Sequence, residues 1–246
     1  DNIEKTEGQR MSNVAAIIPA RYAASRLPGK PLLQETGKFL IQHVYESVSQ
    51  CSSIDQVLVA TDDQRIEDAV RSFGGDVVMT SPEHPNGTCR IAEVAKDLNS
   101  EIVLNVQGDE PEVRKSDLEK LVEGTRKAEM ATLATSFQNR EDIELPERVK
   151  VVRDDQGYAT SFSRKPIPDG ENLLHVGLYG FQREFLLRFA EMAESPMEKQ
   201  ERLEQLRAME NGIRIQVGVI DGNPWGGIDT PGDYRAFVER WRERVQ

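Results

Sequence analysis

Cysteine is scarce in this chain of 246 residues. There are two, Cys51 and Cys89, and their spacing fits no metal-ligand pattern. That usage points to a reducing cytoplasm. Long apolar runs are missing as well. None approaches the ~20 residues that a bilayer-spanning helix needs, and no secretory signal pattern is present, so neither membrane insertion nor export is expected. Positive charge is in deficit, with a formal net charge of -11. Such a surface repels a nucleic-acid backbone, which argues against general nucleic-acid binding. The glycine fingerprint G-x-G-x-x-G of dinucleotide enzymes is absent, which excludes a nicotinamide oxidoreductase of that type. The P-loop pattern G-x-x-x-x-G-K-[ST] is absent too. There is no internal repeat, coiled coil or low-complexity linker.

What is present is a large soluble α/β pattern, 38% hydrophobic and 30% charged. Residues 1–12 are polar and aperiodic and read as a flexible extension. The rest, residues 13–246, reads as one domain. Val14 to Ile18, Gln56 to Ala60, Asp76 to Met79 and Ile102 to Val106 are short apolar runs expected as strands. Helical stripes lie between them. Leu40, Ile41, Val44, Tyr45 and Val48 form one. A second starts at a Thr61 or Asp62 cap and stops at Gly74-Gly75. A third runs through Ile91, Val94, Ala95 and Leu98, with Thr88 as its cap. Buried strands separated by helices imply a mostly parallel sheet covered on both faces. After Lys127 the pattern turns β-rich, with strands at Met130–Phe137, Val149–Arg153, Tyr158–Ser163 and His175–Phe181. A helix through Leu203, Leu206 and Met209, a strand at Ile213–Val219 and a closing helix at Tyr234–Val245 complete the chain. Residues 137–212 read as an excursion from the parallel core, suited to substrate binding or dimerisation.

Three stretches could carry chemistry. The first is IIPARYAASRLPGKPLL, residues 17–33, which places Arg21, Arg26 and Lys30 after the first strand. Ligands of open parallel sheets bind at carboxyl ends of strands. The loop is therefore either a phosphate cradle or a solvated loop whose cations pair with surplus carboxylates. The second is NVQGDEP, residues 105–111, where Asp109 follows a strand. It is either a Mg²⁺ ligand, since Mg²⁺ favours one or two carboxylates plus substrate phosphates, or part of a Gly-Asp turn. The third is WGGIDTPGDY, residues 225–234, in which Asp229 is either a second carboxylate facing Asp109 or a residue of a helix cap. Weaker candidates are His43, more simply read as structural, His84, either a loop residue or part of a base-binding pocket, and Cys89, a thiol with no obvious His/Asp pair to activate it.

In this order, with HPNGTCRIAEV, VKVV, GYATSFSR, HVGLYGF and LEQLR between and around them, the stretches resemble the 3-deoxy-manno-octulosonate cytidylyltransferase family, the CMP-Kdo synthetases. The resemblance covers Val14 to about Val238. The opening motif alone also fits the CMP-sialic acid synthetases. The family resemblance implies a Rossmann-like α/β nucleotidyltransferase fold with an inserted β-rich subdomain for dimerisation and sugar binding. It implies transfer of CMP from CTP to an eight-carbon sugar acid (Kdo), release of pyrophosphate, a role in lipopolysaccharide assembly, a Mg²⁺ requirement and a homodimer. It further implies Arg21, Lys30, Asp109 and Asp229 as catalytic residues, Asp109 and Asp229 holding Mg²⁺. Ala20, Arg21, Lys30, Arg90, Gln107 and Gly108 would contact the nucleotide. Arg164, His175, Tyr179, Glu204 and Gln205 would line the sugar-acid pocket, with Arg164 as partner of the sugar carboxylate.

This chain departs from the family pattern at four places. Cys89 stands where the family usually has glutamate, LPER replaces NPNx before VKVV, PGDY replaces PEDL, and the segment KPIPDGENLL is shorter than usual. The nearest alternatives are activation of a related sugar acid, such as an amino-Kdo or a nonulosonic acid, and a CTP-binding regulator without catalysis.

Overall fold

The computed structural model describes residues 13–23, 27–222 and 226–245. The flexible extension read at 1–12 and the third loop cation, Arg26, lie outside the described residues. Strands β1 (Val14–Ala20), β2 (Gln56–Thr61), β3 (Val77–Met79) and β4 (Ile102–Asn105) lie parallel, in the spatial order β3-β2-β1-β4. The sheet continues through β8 (Leu173–Gln182), β5 (Met130–Ser136) and β9 (Ile215–Val219). β8 runs antiparallel to both β4 and β5, whereas β9 is parallel to β5. Thus part of the expected excursion at 137–212 returns to the middle of the sheet as β8. A hairpin of β6 (Lys150–Arg153) and β7 (Ala159–Ser163) hangs from the first residues of β8.

Helices cover both faces. α1 (Leu40–Ser49), α2 (Gln64–Ser72) and α4 (Lys115–Lys127) seal one face through Ile41, Val44, Ile66, Val70, Leu118 and Leu121. α3 (Gly87–Ala95) and α5 (Arg183–Glu191) seal the other through Ile91, Val94, Phe185 and Phe189. Two short helices, α6 (Pro196–Glu201) and α7 (Gln205–Glu210), lie beside α5, and α8 (Pro231–Val245) packs Phe237 and Val238 near Leu40 of α1. Two caps differ from the sequence expectation. Asp63, not Thr61 or Asp62, caps α2 by accepting from Arg65 N–H at 3.0 Å. Asn86 caps α3 by accepting from Cys89 N–H at 2.8 Å, which leaves Thr88 inside the helix with its hydroxyl directed elsewhere.

The α1–α8 contact encloses His43, which is 4% exposed. Its Nε2 lies 2.7 Å from Thr36 Oγ1, and its ring meets Phe237 and Trp241 edge-on. Burial, then nearby Lys38, pushes its pKa down to about 4. The unfolded chain therefore takes up this proton first as pH falls. The stability contribution is complete above the ordinary value of 6.5 and is lost as pH drops from there towards 4. We expect urea unfolding to show a shallower loss of stability for His43→Gln than for the native chain across that window. The slopes should differ by up to ~1.4 kcal/mol per pH unit. Equal slopes would mean that His43 does not stay neutral in the fold.

Candidate active site

Because β1, β2 and β4 are parallel, the loops that follow them leave the same edge of the sheet. β8 enters at that edge too, since its residue Tyr179 faces Asn105, the last residue of β4. The loop after β1 is closed by Gly29, whose φ of 68° is readily adopted without a side chain. Gly29 N–H donates to Tyr22 O at 3.0 Å. A single helical turn, Lys30–Leu32, then buries Pro31 and projects Lys30 towards the loop after β4.

There Lys30 Nζ donates to Asp109 Oδ2 at 2.6 Å and lies 3.5 Å from Asp229 Oδ1. Three of the four residues expected to be catalytic thus meet, although they are far apart in sequence, and the fourth, Arg21, lines the same cleft as Lys30 and Asp109. A third carboxylate, Glu110, joins them. A Cβ placed on Gly227 would lie 3.2 Å from Glu110 Oε1 and 3.4 Å from Asp109 Oδ1, so the backbone of Gly227 sits against both acids. Burial, then Asp109 and Asp229, raises the Glu110 pKa to about 8. Sequence reasoning passed over Glu110. Its adjacency to Asp109 in QGDEP was the available signal, but sequence alone does not show that both carboxyls face one side.

Ala20, Arg21, Lys30, Gly87, Gln107, Gly108 and Asp109 line one cleft of about 230 Å³. It therefore gathers all but one of the residues expected at the nucleotide. Arg21 donates through Nη2 to His84 O and to Asn86 O, the latter at 3.3 Å, which ties the β1 loop to the turn before α3. Glu93 holds that turn, accepting from Ser81 N–H at 3.1 Å and pairing with the His84 ring. The exception is Arg90. It is fully buried, donates to Thr80 Oγ1 and pairs with Asp62 Oδ2 at 2.7 Å. Arg90 thus braces the end of β2 from beneath.

The residues expected at the sugar acid fall into three places. Tyr179, Glu204 and Gln205 form a polar cluster beside the start of α3, with Gln205 buried and the other two half-buried. Tyr179 OH donates to Gln205 Oε1 at 3.0 Å. Glu204 accepts from Thr88 Oγ1 at 2.7 Å and Asn86 Nδ2 at 3.0 Å. Burial raises the Glu204 pKa. Gln205 Nε2 is buried with no acceptor among the described residues, a donor that a ligand hydroxyl could satisfy. His175 bonds Thr132 Oγ1 at 2.9 Å, and burial lowers its pKa to about 4, so it is neutral at pH 7. It lies between the polar cluster, with its ring 5.6 Å from that of Tyr179, and a cavity of about 800 Å³ that also reaches Asp229 and Glu110. Arg164 lies apart. Its Nε, Nη1 and Nη2 donate to the carbonyls of Glu201, Pro146 and Arg202 at 2.6, 3.1 and 3.3 Å. Cys89 is half-buried, with its pKa raised by burial and then by Glu204, so its thiol is a poor nucleophile.

The arrangement is a cationic loop and a carboxylate cluster at the carboxyl edge of a parallel sheet, beside a polar cavity. It can bind a polyphosphate and present a second substrate to it. A family model described as cytidylyltransferase matches residues 15–215. A 3-deoxy-manno-octulosonate cytidylyltransferase from Geotalea daltonii is 45% identical, over 94% of this chain and 99% of its own. Another protein so named, from Syntrophotalea carbinolica, is 45% identical over 90% of this chain and 95% of its own. A solved structure of CMP:2-keto-3-deoxy-manno-octonic acid synthetase complexed with CTP superposes with a TM-score of 0.91. It is 40% identical and matches 95% of this chain and 100% of that one. A 4-diphosphocytidyl-2C-methyl-D-erythritol synthase from Anaerococcus prevotii shares the fold, with a TM-score of 0.65 at 18% identity over 94% of this chain and 99% of that one.

Proposed function

Since the chain belongs to the cytidylyltransferase family, we propose that it transfers CMP from CTP to the anomeric hydroxyl of 3-deoxy-manno-octulosonate (Kdo). The carrying observation is the convergence of Lys30, Asp109 and Asp229 beside the cleft lined by Arg21, Gln107 and Gly108. Relatives bearing the name of this activity match nearly the whole chain.

In the reaction, the anomeric oxygen forms a bond to the α-phosphorus of CTP. The bond from that phosphorus to the bridging β-oxygen breaks, and pyrophosphate leaves with the electron pair. The hydroxyl proton passes to solvent or to a carboxylate of the cluster. Arg21 and Lys30 supply fixed positive charge where the leaving pyrophosphate gathers negative charge, which costs no reorganisation at the moment of reaction. Gly108 lets the β4 loop pack closely. A Cβ there would stand 3.0 Å from Pro19 O. Holding both substrates at one sheet edge turns a bimolecular step into a positioned one.

The donor set fits Mg²⁺. Asp109 and Asp229 both contact Lys30, and Glu110 stands beside them with its pKa raised to about 8 by burial first and then by the two aspartates. Among the described residues no three His, Cys, Asp or Glu side chains are gathered tightly enough to hold a metal by themselves. Mg²⁺ takes one or two carboxylates and completes its shell with substrate phosphates. Asp109 and Asp229 would hold it, and when bound it polarises the α-phosphoryl oxygens.

The same reading includes a homodimer, checked by light scattering, and a cytoplasmic setting, where CTP is available. No helix among the described residues is long and apolar enough to cross a membrane. The reading is tested by measuring pyrophosphate release with CTP, Mg²⁺ and Kdo, omitting each in turn. Release should require all three. Release with a nonulosonic acid or amino-Kdo in place of Kdo would move the activity to a related substrate. CTP binding without any release would favour the regulator.

A further inference from the structure

Asp109 stands on the loop after β4, and Asp229 stands just before α8, so the two aspartates of the centre belong to different elements. Glu110 lies beside them. Like charges push these two elements apart unless a cation stands between them. A backbone bond opposes that push, since Ile228 N–H donates to Asp109 O at 2.9 Å. A second tie between the same elements lies further along the loop, at Glu112. Its carboxylate reaches two arginines on successive turns of α8. Arg240 donates to it through Nε and Nη2, at 3.1 and 2.5 Å, and Arg244 through Nη2 at 2.6 Å. Both carboxylate oxygens are used, and the Glu112 side chain is 6% exposed.

The helix that Glu112 grips also touches the segment that follows Lys30. Glu35 N–H donates to Tyr234 Oη at 2.8 Å. Tyr234, Phe237 and Val238 pack in one apolar cluster with Ile228, Leu33 and Leu40. α8 is thus fixed near its start by Tyr234 and in its last two turns by Glu112. Tyr234 and Arg240 are ~9 Å apart along the helix axis. A rod held at two separated points resists pivoting, so the chain entering it, Asp229 included, keeps its place relative to Asp109.

We propose that Glu112 is a positioning residue of the catalytic centre: by clamping Arg240 and Arg244 it fixes the separation of Asp109 and Asp229 and presets that pair for a divalent cation bound with CTP. The inference rests on the reading that these two aspartates hold Mg²⁺. Glu112 acts through the arginines and the loop, not on the substrate. A charge-assisted contact that uses both oxygens of a carboxylate is directional as well as strong, which suits a clamp. Without it, the loop and the helix are free to spread until each aspartate is hydrated separately. A shift of ~1 Å between catalytic groups is enough to cost about 100-fold in rate.

The test compares the native chain with Glu112→Gln, Glu112→Ala, Arg240→Ala and the double variant Glu112→Ala/Arg240→Ala, each kept below its unfolding transition as followed by circular dichroism. Calorimetric titration gives the Kd of CTP with saturating Mg²⁺ and again in EDTA, with no sugar acid present and hence no turnover. The ratio of the two values is the gain that the metal brings. Glu112→Ala should lose about 10-fold of that gain, the scale of losing an outer partner of a metal site. Its kcat with saturating Mg²⁺, CTP and Kdo should fall about 10- to 100-fold. Glu112→Gln keeps one acceptor and should fall between, and it carries the same reading if the alanine variant does not fold. Arg240→Ala should act in the same direction. The double variant should be no worse than Glu112→Ala, because one clamp is broken only once. The Kd of CTP in EDTA should stay within about threefold of the native value, since the clamp does not line the cleft of Arg21, Gln107 and Gly108. An unchanged metal gain in a folded Glu112 variant overturns the proposal. So does an equal weakening of CTP binding in EDTA, which would mark a general loosening, and so does a double variant in which the two losses multiply. If the native chain binds CTP equally well with Mg²⁺ and with EDTA, the metal reading of Asp109 and Asp229 falls and the proposal with it. That outcome is distinct from a native chain with a metal gain that its Glu112 variants retain.

Discussion

Lys30→Ala is expected to lower kcat by about 100- to 1,000-fold, the scale seen when one preorganised charge stabiliser is removed from an active site. Lys30 is the meeting point of the cleft. Its side chain is 13% exposed, and its ammonium bridges Asp109, 25% exposed, and Asp229, 44% exposed. When CTP enters, this ammonium is placed to exchange carboxylate contacts for phosphate oxygens. Alanine leaves three carboxylates facing a polyphosphate without that offset. The expected effect on folding is small, because Asp109 and Asp229, 25% and 44% exposed, can be rehydrated once the ammonium is gone. Steady-state kinetics and thermal unfolding together separate the possibilities. A folded variant with near-normal kcat removes Lys30 from the chemistry. A large drop in Tm with kcat intact makes it a structural cation.

Glu198→Ala should be among the most destabilising single changes, costing ~3–5 kcal/mol. Glu198 and Arg207 form a buried pair, with side chains 9% and 4% exposed and contacts of 2.5 and 2.8 Å. Glu198 also accepts from Ser195 N–H at 3.1 Å to complete the cap of α6. Arg207 donates onward to the carbonyls of Phe189 and Met192, at 3.4 and 3.2 Å. Removing the carboxylate strands a guanidinium away from water, and the penalty comes mainly from that stranded charge. The change also loosens the α6–α7 connection that presents Glu204 and Gln205. Urea unfolding measures the loss. The double variant Glu198→Ala/Arg207→Leu should recover a large part of it. A loss below ~1 kcal/mol would mean that water reaches the pair.

The parallel half of the fold was legible because its strands are nearly unbroken apolar runs. Val14 to Ile18 and Ile102 to Leu104 are buried on both faces, and that pattern has few readings. The stretch Lys115–Lys127 gave no such signal. Its helix carries Lys, Asp, Glu and Arg on three sides, with Gly124 inside, and shows its apolar side only through Leu118, Leu121 and Val122. β8 runs into α5 with no turn residue between Gln182 and Arg183, so that boundary had no marker. The Asn86 and Asp63 caps were missed for a different reason. Several capping residues stand together at each start, and only backbone geometry selects one.

At the site, residue type identified the charges and the fold brought them together. Lys30, Asp109 and Asp229 were named from their loops, and parallel strands deliver those loops to one edge. Where a long side chain turns is a different matter. Arg90 and Arg164 carry the expected charge, yet one faces Asp62 and the other faces carbonyls contributed by residues 146, 201 and 202. Those acceptors belong to distant loops, and no local pattern announces them.

The most direct measurement is the ³¹P spectrum of the product formed from CTP, Kdo and Mg²⁺. The account predicts one phosphodiester resonance, from a phosphorus joining cytidine to the anomeric carbon, growing in step with inorganic pyrophosphate. Formation of CDP, or of orthophosphate alone, would place the attack at another phosphorus and contradict it.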